Sequence, residues 1–130
     1  MSRRKHLIIS ILILFVSPVI QAQTFPNHLS AQQAAQWLAS DKTVVVLDVR
    51  TPAEFRTGHL PNAVNVDYTT PDFEQQVAKL RKATPYLLHC AVGGRSTKAL
   101  PVLQKFAFRD VRHLDGGIRA WQDAKLPVVK

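Results

Sequence analysis

Residues 43–48, Thr-Val-Val-Val-Leu-Asp, constrain the fold more than any other stretch of the chain. The run is β-branched, apolar and short enough for a strand buried on both faces, which is the mark of a parallel sheet. Parallel strands need crossover helices, and the sequence supplies them. Ser30-Ala31-Gln32-Gln33 forms a capping box that opens a helix carrying Ala34, Ala35, Trp37 and Leu38, ended by Asp41-Lys42. Thr51-Pro52-Ala53-Glu54 forms a second box with proline at the first helical position, and Gly58 stops that helix. Residues 63–66 predict a second strand, 71–82 a helix, 86–89 a third strand, 96–106 a helix, 111–114 a fourth strand and 117–123 a last short helix. This alternation predicts an α/β sandwich, a central parallel β-sheet with helices on both faces. In such sheets the working site lies beyond the carboxyl ends of the strands, at the loops that begin at Asp48, Val66, His89 and Leu114.

The 130 residues make room for one domain, and 46% apolar against 20% charged residues is ordinary globular usage, which excludes disordered and fibrous classes. Arg3, Arg4 and Lys5 precede an apolar run from Leu7 to Val16, Ser17-Pro18 and a small-residue exit at Ala22. Residues 1–22 therefore read as a secretory signal peptide cleaved after Ala22, and 23–130 as the domain, periplasmic or secreted. Setting residues 1–22 aside removes three of the 17 Lys+Arg and none of the nine Asp+Glu, which leaves a net charge of +5. Such a balance favours small anions. The positive residues are scattered without Arg/aromatic interleaving, so nucleic acid is not an expected partner, nor is a membrane once the signal is removed. The single cysteine, Cys90, has no internal disulfide partner, and an idle thiol is a liability in an oxidising compartment.

That cysteine sits in His89-Cys90-Ala91-Val92-Gly93-Gly94-Arg95-Ser96, between a strand and a helix. Two glycines allow the backbone to curl, so that successive amides point at one spot by a helix N-terminus, an anion-binding nest. Oriented N–H groups at the edge of such a nest favour thiolate over thiol and lower the cysteine pKa from its usual value of about 8.5. Cys90 is the expected nucleophile.

Three segments together resemble the single-domain rhodaneses, which are thiosulfate sulfurtransferases. They are Leu47-Asp48-Val49-Arg50 through Glu54-Phe55, Gly58-His59-Leu60 and Asn62-Ala63-Val64-Asn65; the loop Cys-x-x-Gly-x-Arg-Ser; and Leu114-Asp115-Gly116-Gly117 with Trp121. The resemblance implies a rhodanese-like three-layer sandwich. It also implies that Cys90 attacks the outer sulfur of thiosulfate, holds it as a persulfide while sulfite leaves, and passes it to cyanide or a thiol by ping-pong chemistry. Ala91, Val92, Gly93, Gly94, Arg95 and Ser96 are then the substrate-binding loop, with Arg95 closing it and orienting the anion, and Arg50, beside the site, is expected to bind substrate with them. Asp48 and His59 are expected to be structural, Asp48 in an ion pair and His59 as a hydrogen-bonded residue. No cofactor is implied and a monomer is expected.

His89 reads as strand packing, Trp121 as core, and Lys98, Arg119 and Lys125 as solvated surface. His28 and His113 are far apart in sequence and make no metal spacing with Cys90. Two alternatives stay open. The His-Cys…Arg pattern resembles the cysteine phosphatases and arsenate-type enzymes, although four residues separate Cys90 from Arg95 where that signature has five. A rhodanese-like sulfur carrier or binding module is the other. The local path at Asn65-Val66-Asp67-Tyr68 departs from the family's usual turn, and Val92 makes the loop apolar, which favours a small or hydrophobic thiol acceptor.

Overall fold

The computed structural model describes residues 28–130, so the signal-peptide reading of 1–22 lies outside the described residues. Along the chain run β1 (His28–Leu29), α1 (Ala31–Ser40), β2 (Val45–Asp48), α2 (Pro52–Thr57), β3 (Val64–Asn65), α3 (Phe73–Ala78), β4 (Tyr86–His89), α4 (Gly94–Lys105), β5 (Val111–Leu114) and α5 (Gly117–Asp123). Both capping boxes form as the sequence predicts. Ser30 Oγ accepts the amide of Gln33 while the Gln33 side chain accepts that of Ser30, and Thr51 and Glu54 do the same at α2.

Five strands lie in the order β1-β5-β4-β2-β3, and every pairing between them is parallel. The register Leu47↔Leu88 and Leu88↔His113 puts those side chains on one face of the sheet. That face buries Leu47, Val49, Leu88 and Cys90 against Phe73 and Val77 of α3 and Ala99 and Leu103 of α4. On the opposite face Val46, Leu87 and Leu114 meet Ala31 and Ala34 of α1 and Ile118 and Trp121 of α5. Two apolar layers on one sheet explain why the strands carry apolar runs without alternation. Trp121 is core, as expected, and its indole N–H donates to Pro127 O at 2.9 Å.

The structure differs from the sequence reading at several ends. β2 starts at Val45 because Asp41 Oδ1 takes both the amide and the hydroxyl of Thr43 in a local turn. The 71–82 helix contracts to Phe73–Ala78, where the amides of Lys79 and Leu80 close tight turns onto Gln76 and Val77. α4 begins earlier, at Gly94, and carries Pro101 within it. β1 has no counterpart in the sequence reading, and it adds a fifth strand at the sheet edge with His28 directly beside His113. Parallel strands bring the carboxyl ends of β2, β4 and β5 to one edge, and the Cys90 loop lies there.

Candidate active site

Cys90 follows the last residue of β4 and is 1% exposed. Gly93 then adopts φ +118°, a conformation that side-chain-bearing residues rarely take, and it turns the chain back so that its own amide donates to Cys90 Sγ at 3.1 Å. The Ser96 hydroxyl reaches the same sulfur from the first turn of α4 at 3.2 Å. Burial pushes the Cys90 thiol up, but the Ser96 hydroxyl and the amides of Ser96, Gly93 and Val92 outweigh it, and the pKa lies below the ordinary thiol value. The structure thus brings the Gly93 amide and the Ser96 hydroxyl of the Gly-Gly-Arg-Ser segment onto the sulfur.

The carbonyls of the same loop point the other way. Cys90 O accepts Ile118 N at 3.0 Å and the Nδ1–H of His89 at 2.9 Å, and Ala91 O accepts Arg119 N at 3.1 Å. The two amide donors come from the start of α5, which approaches so closely that a Cβ on Gly117 would sit 2.5 Å from Ala91 O; Gly117 also has φ +62°. Because the Ala91 carbonyl is bound to α5, the Val92 amide of the same peptide faces the opposite side, toward the sulfur. Gly94 differs from its neighbour, since a Cβ there meets nothing within 4 Å.

Arg95 closes the loop against α2. Its two terminal nitrogens donate to the two oxygens of Glu54 at 2.7 and 2.8 Å, a bidentate pair the sequence reading missed. The guanidinium holds the Glu54 carboxyl down at about 2, against the effect of burial and with help from the Thr51 contacts. Arg95, expected to close the loop and orient the anion, is thus held by Glu54 of α2, its charge already partnered.

The substrate-binding role assigned to Arg50 is corrected by the structure. Arg50 is 5% exposed and forms a buried ion pair, Nη2 to Asp48 Oδ2 at 2.7 Å and Nε to both Asp48 oxygens at 3.0 Å, with a further bond from Nη2 to Gly58 O at 2.7 Å. Desolvating a guanidinium demands such partners, and they leave it a structural group. Asp48 is accordingly the ion-pair residue expected. His59 is structural too, with Nδ1–H donating to Phe55 O at 3.0 Å and its ring stacked on Phe55. Asn65 donates to Asp48 O and Arg50 O, which fixes the path after β3 that the sequence left in doubt.

His89 is fully buried, its Nε2 3.6 Å from Asp48 Oδ2, and burial holds its pKa below the usual value. Ala91 is half-buried, while Val92 is 61% exposed and stands beside the mouth with the exposed Gly94. Lys98, Arg119 and Lys125 are exposed. His113, read only as lacking metal spacing, proves to touch the site: its Nε2 lies 2.6 Å from Ser96 Oγ. Among the described residues no group of three or more His, Cys, Asp or Glu converges to hold a metal ion.

Two predictions test this geometry. Gly117→Ala must strain a left-handed residue and collide with the Cys90–Ala91 backbone, so urea denaturation should show a loss of about 2 kcal/mol or more, whereas Gly94→Ala should stay within about 0.5 kcal/mol of the parent. Equal costs at the two glycines would refute the close approach of α5. The second concerns Glu54, whose folded pKa of about 2 lies below its ordinary 4.5. The latch therefore contributes stability above the ordinary value and loses it as pH falls from 4.5 toward 2. Urea midpoints of wild type and Glu54→Gln should differ most at neutral pH and converge through that window; a gap that is constant with pH would contradict the ion pair.

Comparison with known proteins agrees with the fold. The family model described as Rhodanese-like domain matches residues 30–124. A protein named Sulfurtransferase from Allochromatium vinosum is 30% identical over 103 residues, covering 79% of this chain and 94% of that one. The probable adenylyltransferase/sulfurtransferase MoeZ of Mycobacterium tuberculosis is 31% identical over 101 residues, but the chain spans only 26% of its length. Among solved structures, a rhodanese-related protein from Thermoplasma volcanium superimposes with a TM-score of 0.71 at 27% identity, over 79% of this chain and 97% of that one. From the capped helix at Ser30 to the end of α5, the chain belongs to the Rhodanese-like domain family, with relatives that are named sulfurtransferases.

Proposed function

We propose that the protein is an exported sulfurtransferase that takes the sulfane sulfur of thiosulfate onto Cys90 and delivers it to cyanide or a small thiol. The observation that carries this reading is the convergence of donors on a buried sulfur, the Gly93 amide at 3.1 Å and the Ser96 hydroxyl at 3.2 Å. Cys90 thiolate attacks the outer sulfur; a Cys90–sulfur bond forms, the sulfur–sulfur bond of thiosulfate breaks, and its electron pair leaves with sulfite. The terminal sulfur of the persulfide carries the negative charge in the place where the loop amides stabilise it, as an oxyanion hole stabilises an alkoxide. In the second half the acceptor attacks that terminal sulfur and Cys90 departs as thiolate.

The four residues between Cys90 and Arg95 make a cradle sized for one sulfur atom, which supports sulfur over phosphate as the transferred group. Val92, apolar and exposed beside the mouth, supports a small or hydrophobic thiol as acceptor. Export rests on the charged start, apolar run and Ala22 exit of the first 22 residues.

Intact mass of the reduced protein after incubation with thiosulfate tests the transfer. Wild type should gain one sulfur atom and lose it to cyanide with thiocyanate released, Cys90→Ser should gain nothing, and protein recovered from cells should begin after Ala22. A folded protein with a free thiol that gains no sulfur, or Cys90-dependent hydrolysis of an aryl phosphate, would overturn the assignment.

A further inference from the structure

The register of the sheet builds a hydrogen-bonded row that the loop alone does not contain. Parallel pairing sets His28 beside His113 and His113 beside Leu88, on the face that also carries Cys90 and lies under α4. Ser96 Oγ is 3.2 Å from Cys90 Sγ and 2.6 Å from His113 Nε2, and His113 Nδ1 is 3.0 Å from His28 Nδ1. The row starts at a sulfur in a 1% exposed residue, passes through Ser96 and His113 at 0% and 2%, and ends at His28, which is exposed on the edge strand.

We propose that Ser96, His113 and His28 form a proton path from the Cys90 sulfur to the protein surface, with His113 as the positioning residue that sets whether Ser96 accepts a proton from the thiol or donates one to the thiolate; this rests on the reading of Cys90 as the nucleophile. A serine hydroxyl has one hydrogen and a neutral imidazole one N–H, so the row has two consistent directions. In the first, S–H points at Ser96 Oγ, Ser96 O–H at His113 Nε2, and His113 Nδ1–H at His28 Nδ1, with His28 Nε2 carrying its own proton. In the second, His28 Nδ1–H points at His113 Nδ1, His113 Nε2–H at Ser96 Oγ, and Ser96 O–H at the thiolate. Passing from one to the other breaks the S–H, Ser96 O–H, His113 Nδ1–H and His28 Nε2–H bonds. It forms a new O–H on Ser96, Nε2–H on His113 and Nδ1–H on His28, and releases one proton to water.

Both imidazoles are neutral at each end, which suits the surroundings of His113. Burial is the strongest influence on it and disfavours a charged ring, and the rings of His28 on β1 and His89 on β4 act in the same direction against Asp115 after β5. At the outer end His28 opens onto a cleft of about 220 Å³ shared with Gln104 and Arg109. A buried sulfur that takes up a proton between turnovers gains from such a path, which returns it to the thiolate that attacks the next donor.

Stopped-flow ultraviolet absorbance of the thiolate after a pH jump reads the path without any sulfur donor, so failure here is separable from failure of the sulfurtransferase assignment. In His28→Ala, a change at an exposed edge position, ionisation should slow about tenfold and recover when imidazole is added to the buffer. Ser96→Ala should also raise the pH midpoint of the thiolate signal by about one unit, a tenfold change in thiolate fraction. His113→Gln, which keeps an N–H for Ser96 but cannot pass a proton onward, should stay slow with or without imidazole while its midpoint remains near that of wild type. Wild-type rates in His28→Ala, or slow rates that imidazole does not restore, would overturn the path.

Discussion

The bonds from Ile118 N to Cys90 O and from Arg119 N to Ala91 O determine what the loop can do. A peptide that gives its carbonyl to one side presents its N–H to the other, so anchoring Ala91 O to α5 turns the Val92 amide toward the sulfur, while the turn at Gly93 brings its own amide there. The anchoring is possible only because Gly117 lets α5 come within the space a Cβ would occupy, and because Gly93 reverses the chain at φ +118°. Two distant glycines thus set the electrostatics of a cysteine that neither of them bonds through a side chain.

Burial and donor placement oppose one another at Cys90. A thiol removed from water resists ionisation, and an active site that excludes water must supply the lost solvation from fixed dipoles. Here the supply comes from the Ser96 hydroxyl and the Ser96, Gly93 and Val92 amides, and the balance leaves the pKa below the ordinary thiol value. Neither nearby arginine is spent on the sulfur directly. Arg50 is consumed by Asp48 and Gly58 O, and Arg95 by Glu54, so the cations bind their own carboxylates around the Cys90 loop.

Much of this was legible in the sequence wherever the information is local. The capping boxes at Ser30 and Thr51, the strand at 86–89 and the helix at 117–123 follow from residues within a few positions of each other. The Cys90 loop follows likewise, since its nucleophile, turn and helix start are contiguous. What escaped is set by distance in the chain. β1 is two residues long and carries no periodicity; only pairing with β5 makes it a strand. Glu54 had a sufficient local explanation in its capping box, and its bond to Arg95 spans 41 positions. His113 reaches Ser96, and His28 reaches His113, only through strand register, a property of the assembled sheet. Arg50 misled for the opposite reason: its position at a strand end suggested the site, while its neighbour two residues away captured it.

The most direct measurement is the pH dependence of Cys90 alkylation by iodoacetamide in the folded protein and in the same protein unfolded in urea. The chain has one cysteine, so the unfolded thiol is its own reference. If fixed donors outweigh burial, the folded midpoint lies below the unfolded one. A folded midpoint equal to or above the unfolded value would contradict the view that the loop lowers the Cys90 pKa.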